Sequence, residues 1–201
     1  PYSRDAKPKQ FLDVLGTGRS LLQMTFDRFT EITTPDKIWV VSNEKYEKLI
    51  YDQLPELESH QILLETEKRN TAPCIAYAAY KIMKKDPNAV LVVSPSDHAI
   101  FKEKEFQNVI HTAIQNADSD EKLITIGIRP NRPETGYGYI RPGEPLSGAD
   151  RSRRLVSGSR VRLRLRLLAG ARAPKICASL SNQMPSSAIR RLSCSGPMQM
   201  L

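Results

Sequence analysis

From Ser20 to Ile128 the chain alternates short apolar, β-branched runs with longer segments of helical period, and this pattern restricts the fold more than any other feature. Runs of about four apolar residues without polar alternation are strands covered on both faces, and helices between them are the crossovers that parallel strands require. The expected order begins with a helix carrying Leu21, Leu22, Phe26 and Phe29 behind a Ser20 cap. Then come a strand over 38–41, a helix over 44–54, a strand over 61–64 and an Ala-rich helix over 71–85, with Pro73 in its first turn. A strand over 89–93, an amphipathic helix over 104–117 and a strand over 123–128 complete the series. This is an α/β chain with a mostly parallel sheet, and the strands at Ile38, Val90 and Leu123 are expected side by side in one sheet.

The charge balance divides the chain in two. The net charge of +8 suggests a polyanion partner, but residues 151–201 hold 11 of the 30 Lys and Arg and none of the 22 Asp and Glu. Residues 1–150 therefore carry a net charge of −3, and the basic character belongs to the tail. Arg, Leu and Ser make up 27 of those last 51 residues, and no Phe, Tyr or Trp occurs there. Each of these three amino acids has six codons, so their joint excess is what an out-of-frame reading produces. The expectation is a domain over 1–150 followed by a disordered or frameshifted basic tail over 151–201. The alternating segment Arg160–Leu167 leaves open a non-catalytic basic fragment that binds nucleic acid through residues 151–191, a reading that requires strongly salt-dependent association. Such alternation arises easily in so biased a composition, so no specific nucleic acid partner is expected.

Cys74, Cys177 and Cys194 have no metal-ligand spacing and are odd in number, which argues against a disulfide framework and for a reducing, cytoplasmic setting. No run of 18 apolar residues is present, so no membrane partner is expected.

Four motifs carry chemistry. Pro1-Tyr-Ser-Arg4 precedes Pro8-Lys-Gln-Phe11; Glu65-Thr-Glu-Lys-Arg-Asn-Thr-Ala-Pro73 joins a strand end to a helix start; Ser94-Pro-Ser-Asp-His98 follows an apolar strand; and Arg129-Pro-Asn-Arg-Pro-Glu-Thr-Gly-Tyr-Gly-Tyr-Ile140 carries two glycines among aromatic residues. A strand-to-helix junction presents free N–H groups where open α/β sheets bind ligands. A carboxylate at Glu65 can accept from two adjacent ligand donors, while Asn70 and Thr71 suit further ligand hydrogen bonds or simple helix capping. An Asp directly after a strand suits a hard cation that bridges phosphates. The glycines of the fourth motif allow close backbone approach to a ligand.

In this order and spacing the motifs resemble those of the sugar-nucleotide pyrophosphorylases of the mannose-1-phosphate guanylyltransferase type, over roughly residues 1–148. The resemblance implies a Rossmann-like, GT-A-like nucleotidyltransferase fold with helices on both faces of the sheet. It implies transfer of GMP from GTP to α-D-mannose 1-phosphate, giving GDP-mannose and pyrophosphate, with Mg²⁺ as cofactor. Arg4 and Lys9 take the catalytic, charge-neutralising roles; Glu65, Asn70 and Thr71 bind the nucleotide; Glu134, Thr135, Gly136, Tyr137 and Gly138 bind the sugar; and Asp97 is the metal ligand. His98 is expected to support rather than to act as a base, and His60 and His111 to be exposed. A related uridylyl or thymidylyl transferase for another sugar phosphate is the nearest alternative. A homo-oligomer is expected of an intact enzyme.

The departures are a Thr66 where the family has Pro, and the lack of an upstream strand with its glycine-rich loop and of the downstream E-K-P, W-N-S-G and second metal-binding Asp segments. The expectation is a partial domain without its first strand, inactive as it stands.

Overall fold

The computed structural model describes residues 3–67, 71–119, 124–127 and 175–179. They divide between two compact units, one within Pro1–Ala78 and Pro95–Asn108, the other within Ala79–Ser94 and Val109–Met198.

In the first unit the chain enters through a turn in which Arg4 and Lys7 pair their backbones, followed by a 3₁₀ turn at Lys9–Phe11. Helix α1, Leu21–Thr30, starts at a full capping box. The Ser20 hydroxyl accepts from Gln23 N–H, and the Gln23 side chain accepts from Ser20 N–H. Gln serves at this position as Glu does elsewhere, because only an acceptor is needed. Leu21, Leu22, Phe26 and Phe29 are buried along the inner face, as their spacing predicts. Strand β1, Val40–Asn43, and strand β2, Ile62–Glu65, pair in parallel with Val40 opposite Ile62 and Asn43 opposite Glu65. Between them a 3₁₀ turn at Glu44–Tyr46 leads into helix α2, Glu47–Gln53, whose Ile50 is fully buried.

The strands start two residues and one residue later than expected. Gln61 is buried, and its side-chain amide donates to the carbonyls of Pro35 at 2.7 Å and Ile38 at 2.6 Å. These side-chain bonds flank the point where the β1–β2 ladder begins, at Val40 opposite Ile62.

Helix α3 runs Thr71–Met83 and helix α4 runs Glu103–Ser119. In the second unit strands β3, Val90–Val93, β4, Ile124–Ile126, and β5, Lys175–Ser179, form a parallel sheet in the order β3-β5-β4. Ala113, Ala117 and Ile124 form a buried cluster in this unit, and Ile126 packs against it.

One expectation needs correction: among the described residues the strands expected at Ile38, Val90 and Leu123 are not paired in one sheet, since β1 pairs with β2, whereas β3 and β4 flank β5. Within 151–201, strand β5 pairs with Val90–Val93 on one side and with Ile124–Ile126 on the other. The rest of the tail lies outside the described residues.

Candidate functional site

Four segments of the first unit meet in a set of short contacts. The Tyr46 hydroxyl donates to the Asp5 carbonyl at 2.9 Å, and Lys45 pairs with the Asp5 carboxylate at 3.1 Å. Phe11 is buried against the Tyr46 ring, with centroids 5.5 Å apart. The exit of this loop is held as well. The Gln53 amide donates to the Phe11 carbonyl at 3.0 Å and its oxygen accepts from the Ser20 hydroxyl at 2.6 Å. Farther on, the Asp13 carboxylate accepts from Thr17 N–H and Gly18 N–H at 3.0 and 2.7 Å, and these bonds hold its pKa below the ordinary carboxylate value. Gly16 and Gly18 turn this loop with φ of 70° and 79°, backbone that a side chain would strain.

From this anchored loop Lys9 extends its ammonium to 2.7 Å from Asp97 Oδ2. Asp97 is mostly buried, Lys9 more open, and His98 Nε2 lies 3.6 Å from the other carboxylate oxygen. The structure thus joins the residues assigned from the first and third motifs as a contact pair. Arg4, the partner expected of Lys9, is exposed on the turn it makes with Lys7.

Glu65 ends β2 and faces Asn43, which ends β1. Asn43 donates through its amide nitrogen to the Glu65 carbonyl at 2.8 Å, fixing the strand end without using the Glu65 carboxyl. Burial pushes the Glu65 carboxyl up from its ordinary pKa. One turn into α3, burial and then the charge of Glu65 push the Cys74 thiol up to about 12. Thr71 is the exposed first residue of α3. Asn70 lies outside the described residues, as do Glu134, Thr135, Gly136, Tyr137 and Gly138.

Sequence reasoning missed two residues here. Asn43 carried a signal, a polar amide at the end of a buried strand. Arg28 carried another: it stands seven residues after Leu21 and three after Thr25, inside the apolar stripe of α1, where a charge is out of place. It is 2% exposed, and its Nη2 donates to the His98 carbonyl at 3.3 Å. His60 pairs with Glu58 at 3.1 Å and meets the Trp39 ring edge-on; His111 is exposed on α4.

As a metal ligand Asp97 offers hard oxygen donors, and among the described residues no cluster of three His, Cys, Asp or Glu surrounds it. A lone carboxylate fits Mg²⁺, which is commonly held by one or two carboxylates with the remaining positions filled by substrate phosphates and water. Among the described residues no helix is long and apolar enough to cross a membrane.

Compared with known proteins, residues 1–156 match the nucleotidyl transferase family. A mannose-1-phosphate guanylyltransferase of Salmonella montevideo is 45% identical over 152 residues, 75% of this chain and 31% of that protein. The xanthan biosynthesis protein XanB of Xanthomonas campestris pv. campestris is 43% identical over 145 residues, 71% of this chain and 30% of that protein. This chain therefore spans about a third of the length of these relatives. Among solved structures, one described as a mannose-1-phosphate geranyltransferase from Thermus thermophilus aligns with a TM-score of 0.64 at 30% identity, covering 73% of this chain and 42% of that one. A mannose-6-phosphate isomerase from Helicobacter pylori aligns with a TM-score of 0.57 at 32% identity, covering 67% and 52%. The parallel α/β architecture, the ordered motifs and the match over residues 1–156 lead to one conclusion: the chain belongs to the nucleotidyl transferase family.

Proposed function

We propose that residues 1–150 are the nucleotide-binding part of an enzyme that transfers GMP from GTP to mannose 1-phosphate. The observation that carries this reading is the 2.7 Å contact of Lys9 with Asp97, in the same unit as the Asn43–Glu65 strand ends. A phosphate oxygen of the sugar phosphate attacks the α-phosphorus of GTP in line. The new O–P bond forms as the bond from the α-phosphorus to the bridging oxygen breaks, and pyrophosphate leaves with that electron pair. The acceptor phosphate is already ionised, so a general base is not required, and His98 has a supporting place beside Asp97.

Lys9 supplies positive charge to the α-phosphate as charge builds in the transition state, and Arg4 adds to it with the exposed guanidinium of the preceding turn. Asp97 would hold Mg²⁺, which when bound neutralises triphosphate charge. Glu65 accepts from the two guanine donors, Thr71 and Asn70 serve base or ribose, and the 134–138 segment serves the hexose. The test joins residues 1–150 to the flanking segments of a full-length relative and measures pyrophosphate release. Release requiring both GTP and mannose 1-phosphate supports the reading, and equal release with UTP or dTTP contradicts the guanine assignment.

A further inference from the structure

Arg28 is the least expected buried group in the first unit. It projects from α1 into the interior, where the residue is 2% exposed, with Nε and Nη1 buried and without a hydrogen-bond partner among the described residues. Its surroundings give back little of what leaving water costs. The Phe106 ring lies 5.6 Å from its Cζ and is itself packed edge-on by Phe29 at 5.9 Å. Burial holds the Arg28 pKa below its usual value, and the opposite charge of Glu103 offsets this only in part. An unbranched apolar side chain would fill this space without the cost of burying an underpaired charge. A guanidinium adds one thing such a side chain lacks, the bond from Nη2 to the backbone carbonyl of His98.

That carbonyl belongs to the residue following Asp97. The turn it sits in presents the Asp97 carboxylate to Lys9 on one side and to His98 Nε2 on the other. A turn that carries a ligand-binding carboxylate works only if its backbone is fixed, because small displacements of a charged group weaken its action steeply. We propose that Arg28 is a positioning residue, which from the buried face of α1 fixes the Asp97–His98 turn in the geometry that binds the nucleotide's cation and phosphates. The functional half of this statement rests on the nucleotide-site reading of Asp97; the structural half does not.

The experiment compares the 201-residue chain with its Arg28→Met and Arg28→Lys variants by ¹⁵N relaxation and by urea unfolding. In Arg28→Met the order parameters of the Asp97, His98 and Ala99 amides should fall from about 0.85 to below about 0.6, while those of Val40–Ser42 in β1 stay unchanged. Arg28→Lys, which keeps charge and reach but loses the fork, should fall between. If Arg28→Met does not fold, Arg28→Lys decides by the same comparison of turn against strand. Affinity for GTP in the presence of Mg²⁺ should drop about tenfold in Arg28→Met. Loss of order spread evenly over turn and strand, or an undisturbed turn in a destabilised protein, overturns the proposal and makes Arg28 an ordinary core residue. An ordered turn lost without any change in GTP affinity overturns its functional half. Absence of GTP binding by the unsubstituted chain counts against the function proposed above, and the order parameters then still decide the role of Arg28.

Discussion

The Lys9 ammonium lies 2.7 Å from Asp97 Oδ2, so the group assigned to the nucleotide's α-phosphate and the group assigned to its metal neutralise each other in the free protein. An amine and a divalent cation compete for one carboxylate, and the pair must separate for both to act. Acylation of the Lys9 amine, followed by peptide mass spectrometry, should accelerate several-fold in Asp97→Asn and on addition of Mn²⁺ to the unsubstituted chain. Lys9 is partly exposed, so its pairing with Asp97 contributes at most about 1 kcal/mol, and Asp97→Asn should shift urea stability by no more than that.

Glu65 gives a pH-dependent prediction. In the proposed reading its ionised carboxylate accepts both guanine donors, so GTP binding should fall as pH drops through its raised pKa, beginning at a higher pH than for an exposed Glu. The stability linkage has the opposite sense. A folded-state pKa above the unfolded value favours the native state at low pH, and that contribution disappears as pH rises through the folded pKa. Glu65→Gln replaces one acceptor by a donor and should cost about 1–3 kcal/mol for GTP. A titration of GTP and ATP side by side checks this; equal losses for the two would remove Glu65 from the base site.

Cys74 tests the same corner of the molecule without a ligand. With its thiol pushed up to about 12, it holds almost no thiolate at a pH of about 8, so alkylation at Cys74 should be far slower than that of an exposed model thiol. Glu65→Gln removes one of the two causes and should quicken the reaction. An unchanged rate would mean that burial alone accounts for the raised value.

Ser20 links the loop exit to α1. Ser20→Ala removes the cap on Gln23 N–H, at 3.2 Å, and the 2.6 Å bond to Gln53, and should cost about 1–2 kcal/mol by urea unfolding. A loss near zero would show that water replaces both bonds.

Most of the first unit was legible in the sequence because its signals are local. The Ser20 cap, the spacing of Leu22, Phe26 and Phe29, and the apolar runs over 38–41 and 61–64 each specify structure within a few residues. The strand starts were less legible, and the bonds from Gln61 to the carbonyls of Pro35 and Ile38 that flank them are ones that no periodicity encodes. Sheet membership was not legible: the placing of β5 between β3 and β4 is a long-range pairing, and a composition argument about residues 151–201 has no access to it. At the site, motif order supplied Lys9 and Asp97 separately. Their contact, and the hold of Arg28 on the following carbonyl, depend on how the chain brings the Lys9 loop, α1 and the turn after β3 together.

The most direct test of the nucleotide-site assignment is calorimetric binding of GTP, UTP, dTTP and ATP to the 201-residue chain in Mg²⁺, repeated with Lys9→Ala and Asp97→Ala. Losing a charge-assisted contact is worth about 1.5–3 kcal/mol, so each substitution should weaken GTP binding by about tenfold or more, and GTP should bind at least about tenfold more tightly than the other three. Equal affinity for all four nucleotides, unchanged in both variants, would contradict the assignment.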